Sequence, residues 1–254
     1  MKVSVIIPTY NRFKYVLNTI KSVQAQTYKN IEIIVVNDCS TQDEYYTYNW
    51  TELNNSTDST ELNNSTDSIK IIHLEQNSKQ LFGYACAGYV RNQGILVASG
   101  EYISFCDDDD SWFPNKIELQ MDAMQKTGCK MSCTDGLIGS GPFNSDKLYQ
   151  KYNAEYYYNE LRHIYKNSGF LENGFPEIWT LPFLKIHNCV ICSSVIIKRE
   201  ILDKIHNMNN VRNGQEDYDC WIRAMENTDC VYVKDICFYY DVKHGDGSNH
   251  TNGF

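Results

Sequence analysis

The chain has 254 residues, 42% of them apolar and 22% charged, which suits one ordinary globular domain with a real core. Its 23 Lys and Arg against 32 Asp and Glu leave a net charge of −9, which argues against a phosphate-tracking nucleic-acid surface and calls for cations where the acids crowd together. No uninterrupted run of 18 apolar residues occurs and Val3–Ile7 stops at Pro8, so neither a spanning helix nor a secretory signal is expected, and the chain reads as soluble and cytoplasmic.

Val3–Ile7 and Ile31–Val36 are short β-branched runs, and between them Val16, Ile20 and Val23 recur at helical spacing within Tyr15–Ala25. That is a βαβ opening. Strands apolar on both faces are covered by helices on each side, and in such open sheets ligands bind beyond the strands' carboxyl ends, where Pro8–Arg12 and Asn37–Ser40 lie. Residues 51–68 repeat the same nine residues twice with one Leu in each copy, too little to bury a face, and read as a flexible surface insertion.

Order resumes with Ile69–Leu74 as a strand, Gly88–Ala98 as a helix carrying Arg91 and Asn92, and Tyr102–Cys106 as a fourth strand. This strand runs into Asp107-Asp108-Asp109-Asp110, and Pro114 then opens a helix through Gln125. Farther on, Tyr149–Tyr165 reads as helical, Val190–Ile197 as a strand, Tyr218–Glu226 as a short helix and Val231–Tyr240 as a last, aromatic strand. The tail from His244 has no periodicity and reads as a loop or lid. Ten cysteines spread over this length read as free thiols, and Cys189 and Cys192, despite their spacing, as core residues.

By composition alone a block of four carboxylates is a solvated loop. Its position changes that reading, because it ends an apolar strand at the ligand-binding edge, and alternation along an extended segment would turn Asp107 and Asp109 to one side. Two carboxylates held that close call for a hard divalent cation, Mg²⁺ or Mn²⁺, with positions left for substrate phosphates. His244, or less readily His187, could add a nitrogen ligand. A second acidic group, Glu216-Asp217-Tyr218-Asp219, stands at the start of a helix, where acids either cap the helix or, within reach of a bound hydroxyl, act as a general base.

Five blocks in order, Val3–Arg12, Ile33–Thr41, Val90–Gly94, Phe105–Pro114 and Glu216–Asp219, together resemble the family 2 glycosyltransferases. The resemblance implies an α/β chain with the GT-A (Rossmann-like nucleotide-diphospho-sugar transferase) fold, its central sheet mostly parallel and flanked by helices. It further implies a single domain over residues 1–254, with a nucleotide-sugar-binding half at 1–115 and an acceptor-binding half at 116–254. Under it Pro8, Thr9, Tyr10, Asn11, Arg12 and Asp38 would hold the nucleoside, with Asp38 toward uracil. Arg91 would lie near the diphosphate or sugar, Asp107 toward ribose with Asp108 beside it, Asp109 on the metal that His244 could also reach by its own chemistry, and Asp217 would be the catalytic base.

The implied activity is inverting, metal-dependent transfer from a UDP-sugar to a hydroxyl of a glycan, a lipid-linked sugar or a protein, with Mn²⁺ or Mg²⁺ as cofactor. A nucleotidyltransferase and a catalytically silent nucleotide- or carbohydrate-binding protein are the alternatives. Trp179, Trp221 and the Tyr152–Tyr165 cluster are either sugar-stacking faces or plain packing.

Overall fold

A computed structural model describes residues 1–55, 68–212 and 214–243, so most of the 51–68 repeat, and His244 with the tail after it, lie outside the described residues. Among the described residues ten strands form one sheet: β1 (Val3–Thr9), β2 (Ile31–Asn37), β3 (Ser68–His73), β4 (Tyr102–Phe105), β5 (Ser111–Trp112), β6 (Met131–Gly139), β7 (Gln150–Lys151), β8 (Ile178–Trp179), β9 (Ile196–Lys198) and β10 (Cys230–Asp241). The helices in chain order are α1 (Phe13–Gln24), α2 (Glu44–Thr47), α3 (Ser78–Phe82), α4 (Ala87–Val97), α5 (Lys116–Thr127), α6 (Tyr158–Ile164), α7 (Leu181–Leu184), α8 (Arg199–Lys204) and α9 (Glu216–Met225).

The strand order is β3-β2-β1-β4-β9-β6-β10-β5. The run β3-β2-β1-β4 is parallel, as is the pair β6 and β10. β9 enters antiparallel between β4 and β6, and β5, β7 and β8 add short antiparallel edges, so the sheet is mixed. Register decides where the site falls. Thr9 lies opposite Asn37 and Ile6 opposite Phe105, so β1, β2 and β4 end at one edge of the sheet and hand their following loops to it.

Alternation along β1 and β2 sorts their side chains to two faces. Val3, Val5, Ile7, Ile33 and Val35 pack with Phe13, Val16, Ile20 and Val23 of α1. Ile6, Ile34 and Val36 pack on the other face with Val90 and Ile95 of α4. Gly94 lets α4 come this close, since a Cβ there would stand 2.6 Å from Ile6 Cγ2 and 3.1 Å from Val36 Cγ2. Gly94→Ala is therefore expected to destabilise the chain by about 1–3 kcal/mol through overpacking, read as a lower urea midpoint with an unchanged slope.

Two expected elements take a different form, and one strand went unforeseen. The segment read as one strand over 190–197 contains a 3₁₀ turn at Cys192–Ser194, and only Ile196–Lys198 pairs. The Tyr-rich segment 149–165 divides into β7, a π turn over Tyr152–Tyr156, and α6. The buried Asp135 carboxylate causes the π turn by accepting the Asn153 and Ala154 backbone N–H groups at 3.0 and 3.1 Å. β6 itself carries Ser132, Thr134 and Asp135 among its buried residues and has no apolar run to announce it.

All ten cysteines are free, and Cys189 and Cys192 lie in the core at 2% and 5% exposure. Burial pushes the Cys189 thiol up to about 12, which keeps it inert as a nucleophile. Trp179 and Trp221 are wholly buried, so both are packing residues.

Candidate active site

The loops after β1 and β2 are fastened to each other. Asp38 N–H donates to the Thr9 carbonyl at 2.9 Å, Asn11 N–H to Ser40 Oγ at 2.9 Å, and Thr41 N–H to Asn11 Oδ1 at 2.7 Å. Asn11 and Cys39 adopt left-handed backbone, with φ of 52° and 55°, at the two crests. Beneath them the buried Tyr45 hydroxyl pairs with Thr9 Oγ1 and accepts the Arg12 N–H at 3.1 Å. Pro8 and Tyr10 stay half-buried along this rim.

Asp38 is turned inward. Its carboxylate accepts Ser78 N–H at 2.7 Å, Ser78 Oγ at 2.7 Å and Asn77 Nδ2 at 3.0 Å, which ties the start of α3 to the end of β2. At 5% exposure, burial raises its carboxyl against the pull of those Ser78 bonds.

The four aspartates do not continue β4 as an extended segment. The strand ends at Phe105 and the acids fold into a turn closed by Asp110 N–H on the Asp107 carbonyl at 3.1 Å. The buried Thr19 hydroxyl lies 2.9 and 2.8 Å from the Asp108 and Asp110 carbonyl oxygens and holds the turn against α1. The expected alternation is thus replaced by a different pairing. Arg12 Nη1 donates to Asp108 Oδ1 at 2.9 Å and Asp109 Oδ2 at 2.8 Å, whereas Asp107 Oδ1 receives Arg91 Nη2 at 2.6 Å. Asp110 is fully buried and accepts the Asp241 N–H at 3.1 Å.

Arg91 comes from α4 and is 5% exposed. Its other terminal nitrogen donates to Glu216 Oε1 at 2.7 Å, so one guanidinium joins the acidic turn to the first residue of α9. Glu216 is buried, and the next residue is the half-buried Asp217. Burial, with the Glu216 charge adding to it, raises the Asp217 carboxyl to about 7, while Arg91 pulls it down. By sequence, Asp217 is singled out from this acidic block and Glu216 is given no role of its own. Its adjacency to Asp217 was the available signal, but its partner lies 125 residues away in the chain.

A divalent cation fits this chemistry in one specific way. Among the described residues no three His, Cys, Asp or Glu side chains form a cation cage. His187 sits exposed on the loop after α7 and belongs to no such cluster. The acidic turn nevertheless packs hard oxygen donors so closely that burial and mutual repulsion push the Asp109 and Asp110 carboxyls well above the ordinary range. A site offering one or two carboxylates and leaving the other positions to phosphate and water is the usual way proteins hold Mg²⁺ on a nucleotide.

The family model for glycosyl transferase family 2 matches residues 4–205. The chain belongs to this family. It is 30% identical over 223 residues to the Escherichia coli UDP-Glc:alpha-D-GlcNAc-diphosphoundecaprenol beta-1,3-glucosyltransferase WfaP, covering 88% of this chain and 70% of that protein. It is 34% identical over 223 residues to an uncharacterized glycosyltransferase of Rickettsia bellii, covering 87% of this chain but only 26% of that protein. The chain thus spans about a quarter of that relative's length.

Among solved structures, Staphylococcus aureus TarS 1-349 in complex with UDP-GlcNAc superposes with a TM-score of 0.68 at 20% identity, over 100% of this chain and 62% of that one. The Pyrobaculum calidifontis mannosyltransferase PcManGT, in complex with GDP-Man and Mn²⁺, gives 0.60 at 16% identity, over 95% and 57%. These likenesses, with the family match, identify the fold as GT-A. No helix among the described residues is long and apolar enough to cross a membrane.

Proposed function

We propose that this glycosyltransferase moves a sugar from a UDP-sugar to a hydroxyl acceptor, a glycan, lipid-linked sugar or protein, with inversion at the anomeric carbon. The observation that carries this reading is a carboxyl held near neutrality, Asp217 at about 7, whose chain neighbour Glu216 is joined by one buried arginine to the acidic turn at the edge where β1, β2 and β4 end. A general base works best when its pKa lies near the working pH.

In this reading residues 1–115 serve the donor and 116–254 the acceptor. The rim Pro8–Arg12 and Asp38 frame the uridine, with Asp38 acting chiefly by shaping the wall through its grip on α3. Asp107 and Asp108 face the ribose and diphosphate. Asp109, with His244 as a second candidate, would hold Mn²⁺ or Mg²⁺, a Lewis acid that neutralises the departing diphosphate. Asp217 accepts the acceptor hydroxyl's proton as that oxygen attacks from the side opposite the leaving group, and UDP departs in the same displacement. No covalent sugar–protein intermediate is needed.

The test is UDP release from UDP-glucose, UDP-N-acetylglucosamine and other UDP-sugars in the presence of Mn²⁺. Transfer or slow hydrolysis with UDP as product is expected. Release of pyrophosphate from a nucleoside triphosphate instead would make the chain a nucleotidyltransferase, and UDP binding with no turnover on a broad donor and acceptor panel would make it a silent binding protein.

A further inference from the structure

We propose that Arg91 and Glu216 are positioning residues for Asp217: the Arg91 guanidinium, bonded to Asp107 on one side and Glu216 on the other, holds the first turn of α9 at a set distance from the acidic turn. This rests on the reading of Asp217 as the base and adds to it the device that places it. The two terminal nitrogens of Arg91 meet the two carboxylates at 2.6 and 2.7 Å inside the protein.

The rest of α4 has the same purpose. A Cβ at Gly88 would stand 2.8 Å from the Asn209 carbonyl oxygen and 3.2 Å from Glu216 Cβ, so only glycine lets α4 touch both the loop before α9 and the side chain of Glu216. One turn on, Asn92 exchanges two hydrogen bonds with the Met208 backbone, donating to its carbonyl at 2.8 Å and accepting its N–H at 3.1 Å. That loop is fixed from its other side by Arg223, which donates to the Ile205 and Asn207 carbonyls at 2.6 and 2.9 Å. The approach to Asp217 is therefore clamped from both flanks, and the Arg91 bridge is the contact that ties the clamp to the acidic turn.

The bridge has an electrostatic consequence with a definite sign. Asp217 is faced by Glu216 on its own helix, Arg91 from α4, Asp107 from the acidic turn, Tyr152 from the π turn, and the Cys192 and Cys220 thiols. Glu216 raises the Asp217 carboxyl and Arg91 lowers it, so neutralising one or the other moves it in opposite directions. Opposite shifts are what two opposite charges held beside Asp217 produce, so they read directly whether the bridge stands next to that carboxyl.

The experiment is a carboxyl-carbon NMR titration of the full chain labelled at aspartate, with the Asp217 signal assigned by its loss in Asp217→Asn. Glu216→Gln keeps shape and an acceptor for Arg91 and is expected to shift the Asp217 midpoint down by about one pH unit. Arg91→Gln is expected to shift it up by a similar amount, and the double variant to return it near the starting value. If Arg91→Gln fails to fold, Glu216→Gln and the double variant still decide the matter. Midpoints that stay put, or move the same way in both single variants, overturn the bridge. UDP release measured on the same proteins separates this from the underlying reading: full release by Asp217→Asn would overturn the role of Asp217 itself, whatever the midpoints do.

Discussion

Asp217→Asn is expected to lower sugar transfer by about 10²- to 10⁴-fold, the usual contribution of a general base, while UDP affinity changes by less than about twofold. The amide keeps an oxygen for the Tyr218 N–H, which the carboxylate accepts at 2.6 Å, so the first turn of α9 has no reason to rearrange. Donor turnover against calorimetric UDP binding checks both halves. Loss of binding together with turnover would mean that Asp217 holds the nucleotide and is not the base.

The pH dependence follows from the same carboxyl. With Asp217 raised to about 7, it carries a proton at lower pH and cannot accept another, so transfer should fall as pH drops through 7 and level off above it. Stability should run the other way. The unfolded chain loses this proton near the ordinary aspartate value of about 4, and the folded chain only near 7. The folded state therefore binds the extra proton between those limits, and this group favours folding at pH 5 relative to pH 8.

Asp109→Ala is expected to weaken Mn²⁺-dependent UDP binding by at least about 10- to 100-fold, the loss that follows even when an outer partner of a metal ligand is removed. Binding measured without metal should be unchanged, and a chelator should bring the unsubstituted chain to the level of the variant. Arg12 keeps its 2.9 Å contact with Asp108 in the variant, so the turn retains its tie to the rim after β1. Equal UDP affinity with and without Mn²⁺ in both proteins would remove the cation from the mechanism.

How legible each element was follows from where its partners lie. β1 and β2 are buried almost end to end, and such strands need near-continuous β-branched apolar residues, which can be seen in the chain itself. β6 is equally buried but satisfies its polar residues through distant groups. Ser132 Oγ accepts from Gln120 Nε2 at 2.9 Å and Asp135 accepts the N–H groups of the π turn, so no local pattern marks it as a strand. The five motif blocks named the family because their order and residue types survive in one dimension.

The amino-acid sequence by itself determined the α/β class, the acidic block at the end of a buried strand, and the acidic start of a late helix, because hydrophobic periodicity and short motifs are local properties. Only the tertiary structure decided which acids share a counter-ion: Arg12 spans Asp108 and Asp109, and Arg91 spans Asp107 and Glu216. Arg12 lies 96 and 97 residues from its two acids and Arg91 lies 125 from Glu216, separations no local pattern spans, and the parallel register that ends β1 and β4 at one edge is what brings Arg12 within hydrogen-bond reach of the acidic turn.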